Sequence, residues 1–286
     1  MPAEPLAELG VVPSARAWVA FDARLAVAAM VPLAVALSAA FLQPVRPAAL
    51  LIAVVGTALA GRRRTTAVWA WAAIVPLTAI LAWGVLSAPR ALPALASCAT
   101  FLSPPMLWRV AELGVILLLI AVLARWLAPA PRHIPRAGVQ RRLVALTGTA
   151  GIVIAPLAVV MGEAASRQFF GSVRIEIGLA GAILPALIFA FANATLEETV
   201  YRGVLLGWLE PALGTTGAIL AQAAAFGLAH NGLDYVASPL PVILAMFATG
   251  AIAGFIVKRT GSLFVPIVIH AAFDVALYYG LACRIS

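Results

Sequence analysis

Six ionisable residues stand in the last third of an otherwise apolar chain. They are Glu197, Glu198 and Arg202 in L-E-E-T-V-Y-R, His230 in F-G-L-A-H, and His270 and Asp274 in H-A-A-F-D. Each lies within or at the end of an apolar stretch long enough to cross a membrane. Ionisable groups are costly in hydrocarbon, and they usually line a cavity and act there. Carboxylates beside imidazoles are the groups of acid–base or metal-assisted hydrolysis. The set therefore points to hydrolysis of a peptide bond inside a bilayer.

The spacing divides the work among them. Glu197 and Glu198 are adjacent, so on a helix they point about 100° apart and cannot serve the same spot. Arg202 follows Glu198 by four residues, the order and spacing of an intrahelical ion pair. That leaves Glu197 as the free carboxylate and the candidate base. A helix-end salt bridge at the cytoplasmic interface is the bland reading of Glu198 and Arg202. His230 shares a helical face with Phe226, just before Asn231-Gly232 ends its span, where an interfacial histidine is also at home. His270 lies well inside the last span and Asp274 shares its face one turn later. A stacked His and Asp in mid-membrane needs polar company, or else forms a private hydrogen bond that locks two helices. Counted at ~1.5 Å per residue from the inferred cytoplasmic ends, Glu197, His230 and His270 reach comparable depth from three different spans.

The elements that must position these groups follow from composition. Of the 286 residues 64% are hydrophobic and 10% are charged, against roughly 25% charged in a soluble domain. With a mean hydropathy of +1.05, this is an all-α, polytopic transmembrane helical bundle. Apolar runs at Leu25–Leu42, Pro47–Gly61, Thr65–Ala88, Met106–Ala124, Leu143–Gly162, Ile177–Leu206, Pro211–His230, Pro241–Val257 and Ser262–Ala282 give eight or nine spans. A crossing helix needs about 20 residues, so the second run is short and the sixth projects into water at one end. The net charge of +8 comes from arginines scattered in short connections, where they set topology rather than bind nucleic acid. With the N-terminus cytoplasmic, that side receives Arg16, Arg24, Arg62, Arg63, Arg64, Arg125, Arg132, Arg136, Arg141, Arg142, Lys258 and Arg259, against Arg46, Arg90, Arg167, Arg174 and Arg284 outside. This asymmetry places the chain as a multi-pass protein of a bacterial inner (plasma) membrane, N-terminus inside and, with nine spans, C-terminus outside.

The basic, proline-containing stretch P-R-H-I-P-R-A-G-V-Q-R-R divides the chain into an N-terminal transmembrane extension, residues 1–142, and a core, residues 143–286, that holds all the chemistry. A-L-S-A-A, ending the first run, resembles a signal-peptidase site, but the leading region is too long and too acidic, and a retained span is expected. Cys98 and Cys283 give no disulfide framework and no metal-cluster spacing, though both fall on one side of the membrane. Arg109 and Glu112 are expected to be a surface pair, Asp234 to be solvated, and Asn193 and Thr195 to hydrogen-bond in the cavity or between helices.

E-E-T-V-Y-R, F-G-L-A-H and H-A-A-F-D, in that order and on successive spans, resemble the CPBP family of intramembrane proteases, which includes the Rce1-type CAAX prenyl endopeptidases and the Abi or bacteriocin-immunity relatives. The resemblance covers roughly residues 180 to 282. It implies an intramembrane endopeptidase acting on a membrane-associated peptide or protein. Glu197 would activate water, His230 would help to hold it, His270 and Asp274 would stabilise the oxyanion or orient the substrate, and Glu198 with Arg202 would brace the site. The family often has Asn in place of Asp274, and an ionised Asp cannot donate to an oxyanion. Asp274 is therefore protonated, orients His270, or coordinates something. No cofactor is required by a glutamate-base mechanism; a zinc ion held by Glu197, His230 and His270 is the metal-dependent alternative. Two other functions use the same residues: a non-catalytic immunity or scaffold protein, and a proton-coupled transporter, although no motif-bearing counterpart precedes residue 143.

Overall fold

The computed structural model describes residues 20–63, 67–91, 104–127, 149, 174–175, 183–231, 239–282 and 284–285. These form helices α1 (Ala23–Phe41), α2 (Arg46–Arg62), α3 (Val68–Ala91), α4 (Pro104–Trp126), α5 (Ile183–Glu198), α6 (Leu206–Ala229), α7 (Pro239–Thr260) and α8 (Phe264–Ala282), with a seven-residue π-helical segment, Thr199–Leu205, joining α5 to α6. A two-residue antiparallel ladder pairs β1 (Arg174–Ile175) with β2 (Arg284–Ile285). The N-terminal residues up to 19, Cys98, the basic linker around residue 135, Asp234 and Cys283 lie outside the described residues, as does the expected span Leu143–Gly162 apart from Thr149.

Among the described residues six helical runs are long and apolar enough to cross a bilayer: Ala23–Phe41, Gln43–Arg62, Val68–Val85, Met106–Trp126, Ile183–Ala229 and Leu240–Thr260, with a shorter apolar helix at Phe264–Val275. The chain is thus an integral, multi-pass membrane protein. Large side chains such as Val27, Met30, Leu51, Leu118 and Ile252 stay exposed on the outside of the bundle, where lipid rather than water is the matching solvent. The expected sixth and seventh spans are one 47-residue helical run in sequence. Straight, it would be about 70 Å long, more than twice the ~30 Å hydrocarbon core. It folds back at Gly214, whose φ of 68° is open to glycine and strained for other residues. Arg202 and Phe226 lie twelve residues on either side of Gly214, yet the guanidinium stands 4.2 Å from the ring centroid. Contact across the break requires a helical hairpin.

Glu210 and Lys258 hold that hairpin. The Glu210 carboxylate accepts from Thr215 Oγ1 at 2.6 Å and from Lys258 Nζ on α7, closing the turn with charges that are almost fully buried. Small residues let the helices approach closely. On α1, Ala36, Ala39 and Ala40 are fully buried, and Trp208 of α6 meets Trp69 edge-on at 5.5 Å. One hydrophobic cluster joins α1, α2, α3 and α4 to the π segment, α6 and α7, so the early helices wall in the later ones. Arg46 is buried as well: its Nε donates to Ala39 O at 3.1 Å and its Nη2 to Ala40 O at 3.4 Å, satisfying carbonyls that end α1.

The α6–α7 contact depends on glycine. A Cβ at Gly227 would lie 2.6 Å from Ile243 O and 3.1 Å from Phe247 N. Both are backbone atoms of α7 and cannot swing aside. Gly227→Ala is therefore expected to cost about 1–3 kcal/mol and to pry α7 from α6 three residues before His230. Thermal unfolding in detergent checks this, and a wild-type Tm for the variant would count against so close a contact.

Candidate active site

The polar residues are placed by two helices running antiparallel. Along α5, Phe189, Asn193 and Glu197 recur every four residues; along α8, Tyr278, Asp274 and His270 do so in the opposite sense. Residues four apart share a helical face, so the two faces meet in three tiers. Phe189 and Tyr278 form the first, ring centroids 5.4 Å apart. In the second, Asn193 Nδ2 donates to Asp274 Oδ2 at 2.8 Å. In the third, His270 faces both glutamates: its Nδ1 lies 2.9 Å from Glu198 Oε1 and its Nε2 lies 3.7 Å from Glu197 Oε2. Asp274 Oδ2 stands 3.5 Å from the same Nε2, so three carboxylates surround one imidazole.

The two glutamates have different settings. Glu198 is tied down: besides His270 it pairs with Arg202, Nη1 to Oε1 at 3.2 Å, and only 2% of its side chain is exposed. Glu197 has 15% of its side chain exposed, and its one ion-pair contact among the described residues is the long approach to His270. Directly after Glu198 the helix widens to π geometry, with Leu206 N–H reaching back five residues to Tyr201 O. Such wide turns are frequent at functional sites. This one carries Arg202, whose guanidinium rests on Phe226.

Phe226 is the hub that brings the third motif in. Its ring meets Tyr201 at 5.0 Å, His230 at 4.6 Å and His270 at 6.2 Å, all edge-on. His230 Nδ1 lies 2.7 Å from the Phe226 carbonyl one turn back. A carbonyl only accepts, so Nδ1 carries the hydrogen and Nε2 is left as the ring's other nitrogen. The ring contact of His230 runs through Phe226. Next to it, Asn231 Nδ2 donates to Phe41 O at 3.2 Å, closing the end of α1 over this corner.

All six residues singled out from the sequence thus cluster about His270 and Phe226. Partners that only inter-helix packing reveals are Asn193 on Asp274, Phe226 as hub, and the Phe189–Tyr278 tier; the four-residue steps back from Asn193 and onward from Asp274 were the available signal. Arg109 and Glu112 differ from expectation. They do pair, Nη1 to Oε2 at 2.7 Å, but Glu112 is buried, with 3% of its side chain exposed, because α4 lies against α5.

Geometry bears on the zinc alternative. Among the described residues no three His, Cys, Asp or Glu side chains converge as a metal-ligand set. His230 and His270 each hold Nδ1 in a hydrogen bond, to the Phe226 carbonyl and to Glu198, so the zinc alternative would use their Nε2 atoms with Glu197.

Asp274 anchors the middle tier. Asp274→Ala is expected to leave the buried Asn193 amide unpaired at a cost of about 1–3 kcal/mol and to free the His270 ring. Its Tm and cleavage rate together test this; wild-type values of both would show that the Asn193–Asp274 bond orders nothing.

Residues 179–276, a stretch that contains all six site residues, match the family model described as type II CAAX prenyl endopeptidase Rce1-like. No curated protein and no solved structure gives a match to the chain.

Proposed function

We infer that this chain, which belongs to the Rce1-like CAAX protease family through residues 179–276, is an intramembrane endopeptidase that cuts a membrane-associated protein or peptide with a glutamate-activated water. The observation that carries the reading is the unequal setting of the two glutamates: Glu198 locked between Arg202 and His270, Glu197 partly exposed and facing the same imidazole at 3.7 Å.

In this mechanism Glu197 takes a proton from water as its oxygen attacks the scissile carbonyl carbon. His230 Nε2 holds that water from the other side. Charge that develops on the carbonyl oxygen is met by the Nε2–H of a doubly protonated His270, whose Nδ1–H is donated to Glu198. Glu197 then returns the proton to the departing amine as the C–N bond breaks, leaving a carboxylic acid on the first product that ionises on release. Asp274, fixed by Asn193, orients the His270 ring and is not itself the donor, so the Asp that stands where relatives often have Asn serves through His270. Glu198 and Arg202 brace the site against Phe226. No step is routed through a metal, because a glutamate base needs none. The excess of basic residues in the connections on one side supports an N-terminus in the cytoplasm.

The test is cleavage of a library of membrane-anchored peptides, prenylated and unprenylated, by the purified protein in lipid nanodiscs, with new termini read by mass spectrometry. Cleavage that persists after exhaustive chelation is expected. Loss on chelation with recovery on adding zinc would replace the metal-free mechanism. Cleavage unaffected by His230→Ala would remove its place at the water, and peptide binding without cleavage would favour an immunity or scaffold protein.

A further inference from the structure

The last helical hydrogen bond of α1 runs from Leu42 N–H to Ser38 O at 2.7 Å. The four carbonyls that follow it are groups to which a helix by itself gives no partner. Each finds one here. Ala39 O and Ala40 O accept from the buried Arg46 guanidinium at 3.1 and 3.4 Å, and Leu42 O accepts from Val45 N–H at 3.3 Å. Phe41 O accepts at 3.2 Å from Asn231 Nδ2, on the residue directly after His230. Three of the donors thus belong to the join of α1 with α2, and the fourth comes from the end of α6. With Ala36, Ala39 and Ala40 fully buried, the end of α1 is a firm post.

His230 stands where α6 stops. Its N–H bonds to Gly227 O, three residues back, at 3.1 Å, and Asn231 N–H bonds to Leu228 O at 3.0 Å. The final turn has therefore tightened to the pattern common at helix ends, where helices fray. The ring of His230 meets the Phe226 ring at 4.6 Å and the Phe226 carbonyl at 2.7 Å, both on its own helix. Among the described residues, the hydrogen bond that ties this turn to a different helix is Asn231 to Phe41 O.

We propose that Asn231 is a positioning residue of the active site: by donating to the end of α1, it fixes the final turn of α6 and with it the His230 ring. α1 lies outside the matched stretch of residues 179–276, so the core takes one support of its water-holding histidine from the N-terminal extension. The assignment rests on the reading of His230 as the residue that holds the water.

Two measurements on the full chain in lipid nanodiscs test it separately from that reading. The first is hydrogen–deuterium exchange read by mass spectrometry. Asn231→Leu keeps the size of the side chain and loses the donor. It should speed exchange over residues 226–231 about fivefold, the scale of one lost hydrogen bond, with Tm and the other helices unchanged. Asn231→Asp sets an acceptor against the carbonyl and should do the same, which keeps the test open if the leucine variant does not fold. Asn231→Gln retains an amide donor and should exchange as the wild type does. The second measurement is cleavage, where Asn231→Leu and Asn231→Asp should lower kcat about fivefold or more with KM little changed, and Asn231→Gln should recover most of it. Unchanged exchange in the variants without a donor overturns the proposal even if activity falls. Faster exchange with wild-type kcat also overturns it, since the tether would then hold nothing that the reaction uses. A rise in KM alone would make Asn231 a substrate-binding residue instead. The exchange result stands whether or not the protein cuts any peptide.

Discussion

Replacing Glu197 by Gln is expected to lower peptide cleavage by about 10³-fold, the scale of a lost general base, while leaving Tm at the wild-type value. The amide has the shape of the carboxyl but cannot take a proton from water. Stability is spared because Glu197 contributes little to the seam: its nearest ionic neighbour is His270 Nε2 at 3.7 Å, and its side chain is partly exposed. Glu198→Gln should behave differently. It weakens the tie to Arg202 and to His270 at once, inside a pocket where the remaining guanidinium has no water to turn to. Breaking a buried pair from one side costs about 3–5 kcal/mol, so this variant should lose both Tm and activity. Cleavage rate and thermal unfolding on the two variants decide the matter. If Glu197→Gln melts early and Glu198→Gln retains full stability, the roles assigned to the two carboxylates are reversed.

Lys258→Met is expected to destabilise the bundle by about 3–5 kcal/mol although it lies outside the polar seam. The lysine neutralises Glu210, which also accepts the Thr215 hydroxyl at 2.6 Å across the break at Gly214. Without the ammonium, a buried carboxylate is left beside the tip of the hairpin that sets Phe226 against Arg202. Activity should fall in step with stability, because His230 rides on that same leg. The double variant Glu210→Leu with Lys258→Met removes both charges together and should regain most of the loss, since well-packed apolar residues often replace a buried pair at little cost. Denaturant or thermal unfolding in detergent reads the series. A double variant as unstable as Lys258→Met would show that the pair acts by shape and not by charge.

The class of the molecule and the identity of its polar cluster were legible in the amino-acid order. A chain with so few charges can fold only in lipid, and ionisable groups inside apolar runs stand out for the same reason: hydrocarbon does not solvate them. Pairs within one helix were legible too, because the 3.6-residue period places Arg202 beside Glu198 and Asp274 beside His270 whatever surrounds them. Contacts between helices were not. Nothing in the order of residues says that Asn193 meets Asp274, that Glu198 reaches His270, or that Phe226 lies under Arg202, since each depends on which faces are packed together and on the reversal at Gly214. Burial was hidden for the same reason. Arg109 and Glu112 look alike in sequence on a lipid-facing or a covered helix, and only the seating of α4 on α5 takes Glu112 into the interior. Local periodicity therefore determined which residues could act, and tertiary packing decided their partners, because the free energy of a charge in a bilayer depends on what is brought against it rather than on its neighbours in the chain.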